Sequence, residues 1–261
     1  MSAPAAGDTA SRRTTLVVPC YNEAGRLDRA AFERFAKARP DVGFLLVDDG
    51  SSDATGELLE ALAAALPGQA ETLHLSPNAG KAEAVRRGVL AALAGGARYV
   101  GYWDADLATP LEALPELEAI LDERPELELV CGSRVRLLGR EIERRALRHY
   151  LGRVFATAAS LVLELPIYDT QCGAKLLRAG DAARALFAEP FLTGWVFDVE
   201  LVARLVAARR GGSTPAARAV YEHPLAVWRH VEGSKVRPAD LLRIRRAYFR
   251  QQPGRGAFPV R

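Results

Sequence analysis

The sequence predicts an α/β fold in which helices cover both faces of a mostly parallel sheet. Short, almost wholly apolar segments such as Thr14–Pro19 and Val42–Val47 have the composition of strands that are buried on both faces. Segments with helical periodicity follow them, and an alternation of strands and helices indicates parallel strands joined by crossover helices. The 261 residues, 49% of them hydrophobic, are enough for one large domain or two small ones.

The elements of the first half follow one another closely. A helix over Asp28–Ala38 separates the first two strands. The elements expected next are a helix over Ala54–Ala65, a strand over Glu71–Leu75, a helix over Ala82–Ala94 and a strand over Ala97–Trp103. Polar residues cluster after the apolar strands, at the sheet edge where open α/β sheets bind their ligands.

Beyond Pro110 the alternation becomes less regular. The sequence predicts a helix over Leu111–Asp122, a strand over Leu127–Gly132, a long helical stretch over Glu141–Leu165, a polar turn over Asp169–Lys175, a helix that begins at Phe197, a short strand over Ala219–Pro224 and a polar segment over Val227–Lys235. We therefore expect a disordered tail over residues 1–13, a folded domain over residues 14–235, and a basic amphipathic helix with a tail over residues 236–261.

Two carboxylates one residue apart organise the chain. Asp104 and Asp106 follow the apolar run Tyr99–Trp103, and residues i and i+2 of an extended chain point to the same side. Two carboxylates held that close repel each other unless a proton or a cation lies between them. Mg²⁺ or Mn²⁺ at this position would also bind substrate phosphates. An acidic surface loop has the same local pattern, so other segments must distinguish the two interpretations.

Composition argues against several other classes of protein. The net charge of +3 is too small for a typical nucleic-acid-binding protein. Cys20, Cys131 and Cys172 are far apart, lack zinc-ligand spacing and suit a reducing compartment. No G-x-G-x-x-G follows a strand, which argues against a dinucleotide-dependent redox enzyme.

The sequence also predicts where the protein works. Met1–Arg13 has no apolar stretch typical of a signal peptide, and the longest apolar run is far shorter than the roughly 20 residues of a membrane span. Arginines alternate with apolar residues in Pro238–Arg250, and Glu141–Leu165 is basic and then apolar. We expect a cytoplasmic protein that binds peripherally to the inner face of the plasma membrane through these two segments. The alternative is that Pro238–Arg250 packs on the domain and its arginines are merely solvated.

Five short motifs stand in a fixed order along the chain. They are Pro19-Cys20-Tyr21-Asn22-Glu23, Val47-Asp48-Asp49-Gly50-Ser51-Ser52-Asp53, Asn78-Ala79-Gly80-Lys81, Asp104-Ala105-Asp106 and Gly132-Ser133-Arg134. Each motif alone is weak evidence. Together and in this order they resemble the family 2 glycosyltransferases of GT-A (Rossmann-like) fold, which use nucleotide-sugar donors.

Further motifs narrow the resemblance, which covers about Thr15 to Lys235. The segments that carry it are Asp104–Thr109, Asp169–Gly173, Phe197–Leu201 and Gly233–Lys235. They look like those of dolichyl-phosphate β-glucosyltransferases. The related dolichyl-phosphate mannose synthases tend to have a glutamine two residues after the second aspartate, where this chain has Ala108.

The resemblance implies an inverting, metal-dependent hexosyltransferase that binds a nucleotide sugar, UDP-glucose being favoured, together with Mg²⁺ or Mn²⁺. The implied donor-binding residues are Pro19, Tyr21, Glu23, Asp49, Lys81, Asp104, Ala105, Asp106 and Gln171. Asp104 and Asp106 would hold the metal. Gly80 and Lys81 stand at a helix start, a natural position for an anion.

The resemblance also implies a polyprenyl phosphate, dolichyl or undecaprenyl, as the acceptor. Candidate acceptor-phosphate residues are Arg134, Arg145, Arg148, Ser234 and Lys235, and the candidate catalytic residues are Asp106, Arg134, Lys235 and Asp198. A phosphate monoester with a second pKa of about 6 needs no base at pH 7. A hydroxyl acceptor needs one, and Asp198 is the candidate for that role.

Three alternatives remain open at this point. The chain can transfer mannose from GDP-mannose, it can use the same donor with a soluble hydroxyl acceptor, or it can be a nucleotide-binding module without activity.

Overall fold

The computed structural model of the protein describes residues 12–143, 146–194, 196–209 and 215–230, with the backbone alone for residues 146–154. The elements of the first half are β1 (Thr14–Cys20), α1 (Arg29–Ala38), β2 (Val42–Asp48), α2 (Thr55–Ala65), β3 (Ala70–His74), α3 (Lys81–Ala94), β4 (Tyr99–Trp103) and α4 (Leu114–Glu123), with a 3₁₀ turn at Leu111–Ala113. Those of the second half are β5 (Leu129–Ser133), β6 (Glu141–Ile142), α5 (Ala146–Leu163), β7 (Ala174–Arg178), α6 (Asp181–Ala188), α7 (Phe197–Ala208), α8 (Ala216–Ala219), β8 (Val220–Pro224) and β9 (Val227–Trp228).

Seven strands form one sheet in the order β3-β2-β1-β4-β7-β5-β8. β1, β2, β3 and β4 pair in parallel, β5 and β8 pair in parallel, and β7 runs antiparallel to both its neighbours. The short strands β6 and β9 form a separate parallel pair. The predicted mostly parallel sheet is therefore confirmed.

The sheet separates two apolar cores. Successive side chains of a strand point to opposite faces of the sheet, so each buried central strand contributes to both cores. Leu16 of β1 contributes to the core that contains Phe32 of α1 and Leu59 of α2. Val17, the next residue, faces the core that contains Val85 of α3. Helices therefore cover both faces, as the sequence predicts.

Gly88 allows α3 to lie directly on β1 and β2. A Cβ atom at this position would lie 2.4 Å from Cγ1 of Val17, closer than real Cβ atoms approach their neighbours, and 3.0 Å from Cγ2 of Val47, which is also a tight contact. The close packing fixes the first residue of the helix, Lys81, over the carboxyl ends of the parallel strands.

Two predictions in the second half are wrong in part. The long helix does not begin at Glu141, because Glu141–Ile142 pairs with Val227–Trp228 from late in the chain and α5 begins only at Ala146. The polar turn predicted over Asp169–Lys175 ends earlier, since Ala174 begins strand β7 in the middle of the sheet. Strands β6 and β7 both pair with strands that are distant in sequence, and this pairing determines where each of them begins.

The predicted tail also ends earlier than expected. Arg12 forms an ion pair with Glu71, and Arg13 forms ion pairs with Glu118 and Asp122. Arg12 and Arg13 thus belong to the folded domain, whereas residues 1–11 and the predicted helix Pro238–Arg250 lie outside the described residues. Among the helices that the structure describes, none is long and apolar enough to cross a membrane.

Candidate active site

The Asp-x-Asp loop lies at the sheet edge where β1, β2 and β4 end. The backbone N–H of Asp104 donates a hydrogen bond of 2.9 Å to the carbonyl of Gly173, just before β7. The indole N–H of Trp103 donates to the carbonyl of Thr109 at 2.7 Å. Between them Leu107 has a φ of +49°, a left-handed conformation that is uncommon for a residue with a side chain. The loop is therefore held in a tight turn that places both carboxylates at the edge of the sheet.

Asp104 is paired with the first residue of α3. The ammonium nitrogen of Lys81 lies 2.6 Å from Oδ1 of Asp104. Burial would lower the pKa of Lys81, but the charges of Asp104 and Asp198 raise it. The pair brings the start of a helix, where backbone N–H groups favour anions, next to the acidic loop.

Asp106 has few groups that stabilise its negative charge. Its Oδ1 accepts a hydrogen bond from the N–H of Ala108 at 3.0 Å. Burial raises its pKa, and the neighbouring charge of Asp104 raises it further. Burial also raises the pKa of Glu23, to which Asp104 and Asp106 add their repulsion. Three carboxylates thus lie within electrostatic range of one another.

Arg26 is a member of this site that the sequence reasoning missed. Its guanidinium donates to both oxygens of Glu23 at 2.9 and 2.6 Å, and its charge lowers the pKa of Asp106. The Glu23-x-x-Arg26 spacing, which places the two side chains one turn apart, was a signal for the pair.

The acidic loop suits a divalent cation that also binds phosphate. Among the described residues, no three or more His, Cys, Asp or Glu side chains surround a common metal position. Mg²⁺ in phosphate-binding sites is held by one or two carboxylates together with substrate phosphates and water. Burial is the main cause of the raised pKa of Asp106 and the charge of Asp104 adds to it, so a cation bound there would offset the repulsion between the two carboxylates.

The predicted nucleotide-binding residues of β1 and β2 lie at the same edge. Pro19 is the penultimate residue of β1, and Tyr21, just after the strand, is 43% exposed. Asp49 is buried, and its carboxylate accepts hydrogen bonds from the N–H groups of Ala79 and Gly80 at 2.8 Å each. Asp49 therefore anchors the turn that precedes α3, and contact with a nucleotide remains a prediction.

Asp198 lies in a buried network, which the sequence did not indicate. It receives hydrogen bonds from the ammonium of Lys175 at 2.6 Å and from the hydroxyl of Tyr102. Lys175 is completely buried, and its ammonium also donates to the carbonyl of Cys172 at 2.7 Å. Burial raises the pKa of Tyr102, and the charge of Asp198 adds to that effect. The carboxylate proposed as a base is thus neutralised by a lysine.

Arg134 is fixed by Asp169 rather than left in solvent. Its guanidinium donates to both carboxylate oxygens of Asp169, at 2.6 and 2.7 Å, and lies over the ring of Trp228. The charge of Asp104 contributes to the raised pKa of Arg134, which places the two residues in the same neighbourhood. The backbone N–H of Gln171 donates to Asp169 at 3.3 Å, so the predicted sugar-binding glutamine lies beside this pair.

The rest of the predicted site is placed only in part. Ala105, the middle residue of the Asp-x-Asp loop, is buried. The backbone of Arg148 belongs to α5, but its side chain lies outside the described residues, as do Arg145, Ser234 and Lys235. The backbone N–H of Arg229 donates to the carbonyl of Ala108 at 2.8 Å. The last described residues before position 230 therefore lie next to the acidic loop.

Gly173→Ala is expected to lower kcat/KM for glycosyl transfer by roughly 10–100-fold, the usual cost of disturbing the residues that orient a metal ligand. A Cβ atom there would lie 1.9 Å from Oδ2 of Asp104, so the carboxylate must move. Steady-state kinetics at several Mn²⁺ concentrations would measure the loss. Gly25→Ala is the matched control, because nothing lies within 4 Å of its added Cβ atom. Unchanged kinetics for a folded Gly173→Ala protein would show that glycosyl transfer does not depend on the position of the Asp104 carboxylate.

An Asp-x-Asp loop at the carboxyl edge of a mostly parallel sheet, beside a helix start, defines a nucleotide-sugar transferase of the GT-A type. Residues 15–184 match the family model described as Glycosyl transferase family 2, and the chain belongs to that family.

Comparisons with individual proteins agree with this assignment. The chain is 32% identical over 256 residues to a dolichyl-phosphate beta-glucosyltransferase of Dictyostelium discoideum, covering 90% of this chain and 74% of the relative. It is 29% identical to a polyprenol monophosphomannose synthase of Mycolicibacterium smegmatis over 75% of this chain and 73% of the relative. A solved structure of glucosyl-3-phosphoglycerate synthase from Mycobacterium tuberculosis, bound to Mn²⁺, UDP-glucose and phosphoglyceric acid, has the same fold. Its TM-score is 0.62 at 21% identity, covering 93% of this chain and 80% of that one.

Proposed function

We propose that the protein transfers a glucosyl group from UDP-glucose, with inversion, to a polyprenyl phosphate. The observation that carries the proposal is the similarity to a dolichyl-phosphate beta-glucosyltransferase over 90% of the chain. Both carboxylates of the Asp-x-Asp loop are in place at the sheet edge. A β-linked product from an α-linked nucleotide sugar requires attack from the side opposite the diphosphate.

The donor diphosphate would be bound with a divalent cation, Mg²⁺ or Mn²⁺, at the acidic loop. Asp106 is the first-choice ligand, and Asp104 contacts the metal, the ribose or both. The cation would neutralise the leaving diphosphate as a Lewis acid. Support comes from the repulsion between the neighbouring carboxylates of Asp104 and Asp106 and from the Mn²⁺ that accompanies UDP-glucose in the M. tuberculosis enzyme of the same fold.

The protein's own residues would orient the donor around that cation. Lys81 fixes Asp104 and brings the start of α3 close to the phosphates. The exposed ring of Tyr21 can stack on the base or ribose, and Pro19 shapes the same wall. Glu23, held by Arg26, can accept a hydrogen bond from the nucleotide. Gln171 can contact sugar hydroxyls without adding charge.

On the acceptor side the protein would supply positive charge rather than a base. An ionised phosphate must approach the anomeric carbon opposite a second phosphate group, and arginine or lysine side chains offset that repulsion. Arg134, Arg145, Arg148, Ser234 and Lys235 remain the candidates. The pairing of Asp198 with Lys175 favours this mechanism over one that uses Asp198 as a base.

Mannosyl transfer from GDP-mannose is the second candidate function. The similarity to a polyprenol monophosphomannose synthase favours it, although that relative covers a smaller share of the chain than the glucosyltransferase does.

The donor nucleotide decides between the two candidates. In calorimetric titrations with Mn²⁺ present, UDP is expected to bind at least about tenfold more tightly than GDP, a difference of about 1.4 kcal/mol. A screen of nucleotide sugars with a membrane lipid extract, analysed by mass spectrometry, should yield a hexosyl polyprenyl phosphate with UDP-glucose. Tighter GDP binding and a product formed only with GDP-mannose would favour the mannosyl function. Binding without any transfer or donor hydrolysis would indicate a module without activity.

A further inference from the structure

The loop that follows β5 exposes two neighbouring leucines. Among the described residues, Leu138 is the most exposed large apolar side chain, as accessible as in an extended peptide, and Leu137 is 50% exposed. The backbone N–H of Arg140 donates to the carbonyl of Leu137 at 3.2 Å, which closes a four-residue turn. Gly139 adopts a φ of +79° at the third position, where such a turn favours glycine. The turn therefore presents Leu138 at its outermost point.

The exposed turn is anchored on both sides. On one side, Arg134 binds Asp169 through its backbone N–H and its guanidinium. On the other side, the N–H of Glu141 donates to the carbonyl of Ala226 at 2.8 Å, within the pairing of β6 and β9. The turn thus leaves both leucines exposed between two anchored ends, although burying them would be favourable.

Positive charge surrounds the two leucines. Arg136 and Arg140 flank them and are exposed. Over residues 134–148 the sequence has six arginines and two glutamates. Apolar side chains between basic ones are typical of surfaces that enter the head-group region of an anionic membrane.

The turn also lies on the same side of the molecule as the acidic loop. β5 is parallel to β8 and antiparallel to β7, which is antiparallel to β4, so β4 and β5 end at the same edge of the sheet. Arg134, at the base of the loop, lies within the electrostatic range of Asp104. A membrane touched by this turn would therefore face the opening of the candidate active site.

We propose that Arg136–Arg140 form a docking tip that inserts Leu137 and Leu138 into an anionic bilayer, with Arg136 and Arg140 at the lipid phosphates. The tip would assist catalysis because the proposed polyprenyl-phosphate acceptor is embedded in a membrane, and to that extent the inference rests on the proposed function. Insertion of the docking tip would bring the candidate active site close to the membrane surface, where the phosphate of a membrane-embedded acceptor lies. It is separate from the segments Glu141–Leu165 and Pro238–Arg250, which the sequence suggested for membrane contact.

Vesicle flotation with the full chain tests the tip directly. The wild type should bind vesicles of equal parts phosphatidylcholine and phosphatidylglycerol, and Leu137→Ser/Leu138→Ser should weaken binding by at least about tenfold. Leu192→Ser is the matched control, because Leu192 is 50% exposed, like Leu137, and lies outside the docking tip and outside both segments that the sequence suggested for membrane contact. Arg136→Gln/Arg140→Gln should remove most of the preference for anionic over pure phosphatidylcholine vesicles. Arg34→Gln/Lys37→Gln, the same charge loss on α1, should not.

Transfer assays separate this inference from the proposed function. With a vesicle-embedded polyprenyl phosphate, Leu137→Ser/Leu138→Ser should lower kcat/KM in proportion to the lost binding. With the phosphate of a short, water-soluble isoprenoid alcohol, the variant should match the wild type. Equal activity of variant and wild type on vesicles would overturn the docking tip and leave the proposed function intact. Leucine-dependent vesicle binding without transfer to any phosphate acceptor would support the tip and overturn the function. Absence of wild-type binding to anionic vesicles, or an equal loss with Leu192→Ser, would also overturn the tip.

Discussion

Asp106→Asn is expected to lower kcat/KM for transfer by more than about 100-fold while the protein remains folded. Residues that merely orient a metal ligand already cost roughly 10–100-fold, and a ligand itself should cost more. The asparagine keeps the shape of the side chain and can still accept the hydrogen bond from Ala108. What it loses is the negative charge that would bind the cation next to the diphosphate. Removal of divalent metal with EDTA should mimic the substitution in the wild type.

The same substitution should stabilise the protein in the absence of metal. The pKa of Asp106 is raised above its ordinary value of 3.8, chiefly by burial. A raised carboxyl pKa contributes stability that is present below the unfolded pKa and lost as pH rises through the folded one. At pH 7 the ionised Asp106 therefore costs stability, and its removal should raise Tm. This gain should vanish in acid below the ordinary carboxyl pKa.

Metal should reverse the order of stability. Mn²⁺ should raise the Tm of the wild type, since a ligand that binds only the folded state stabilises it, and should raise that of Asp106→Asn much less. Asp28→Asn is the matched control. Its carboxylate caps α1 through the N–H of Ala31, a role that asparagine fills equally well. Transfer that survives both Asp106→Asn and EDTA would refute a metal-dependent mechanism.

The sequence predicts the first half of the fold well because each strand and helix there is specified by residues within its own segment. The strands β1, β2 and β4 are apolar runs, and each strand from β1 to β4 is followed by its own helix, so periodicity and burial indicate the same structure. The position of the Asp-x-Asp loop follows from this pattern, since the carboxyl ends of parallel strands meet at one edge. The loop could therefore be placed in space from the sequence.

The second half could not be predicted to the same extent, because its elements depend on distant partners. Lys175 is a poor strand residue by composition, and its burial depends on a carboxylate on α7 that is distant in the sequence. Glu141–Ile142 forms a strand only because Val227–Trp228 lies beside it. Arg134 was predicted to bind an acceptor phosphate, and a sequence cannot show that Asp169 already holds its guanidinium.

The largest loss of stability is expected for Lys175→Met. The substitution removes the ammonium that donates to the buried carboxylate of Asp198 and leaves the hydroxyl of Tyr102 as its hydrogen-bond donor among the described residues. Removing one member of a buried ion pair typically costs 3–5 kcal/mol, which for a domain of this size corresponds to a fall in Tm of roughly 10 °C. Differential scanning calorimetry would measure it. Lys37→Met, at an exposed position on α1, is the control and should leave Tm nearly unchanged.

Replacing the whole network should restore most of that stability. In Lys175→Met/Asp198→Leu/Tyr102→Phe no charge or hydroxyl of the network remains buried, and apolar replacements of similar volume are often neutral or stabilising. If the triple variant is as unstable as Lys175→Met alone, lost packing rather than an uncompensated charge explains the effect. The comparison therefore isolates the electrostatic role of the pair from its contribution to volume.

The kinetics of Asp198→Asn, assayed well below its Tm, then determine the chemistry of the acceptor. With a phosphate acceptor no base is needed, so kcat should fall by less than about tenfold, well below the 10²–10⁴-fold typical of a lost general base. The transfer rate of the wild type should not follow a carboxylate titration as the pH changes. Lys235→Ala should instead raise the acceptor KM or lower kcat while leaving UDP affinity unchanged. If Asp198→Asn abolishes transfer in a folded protein while Lys235→Ala stays active, the acceptor is a hydroxyl and the polyprenyl-phosphate proposal is wrong.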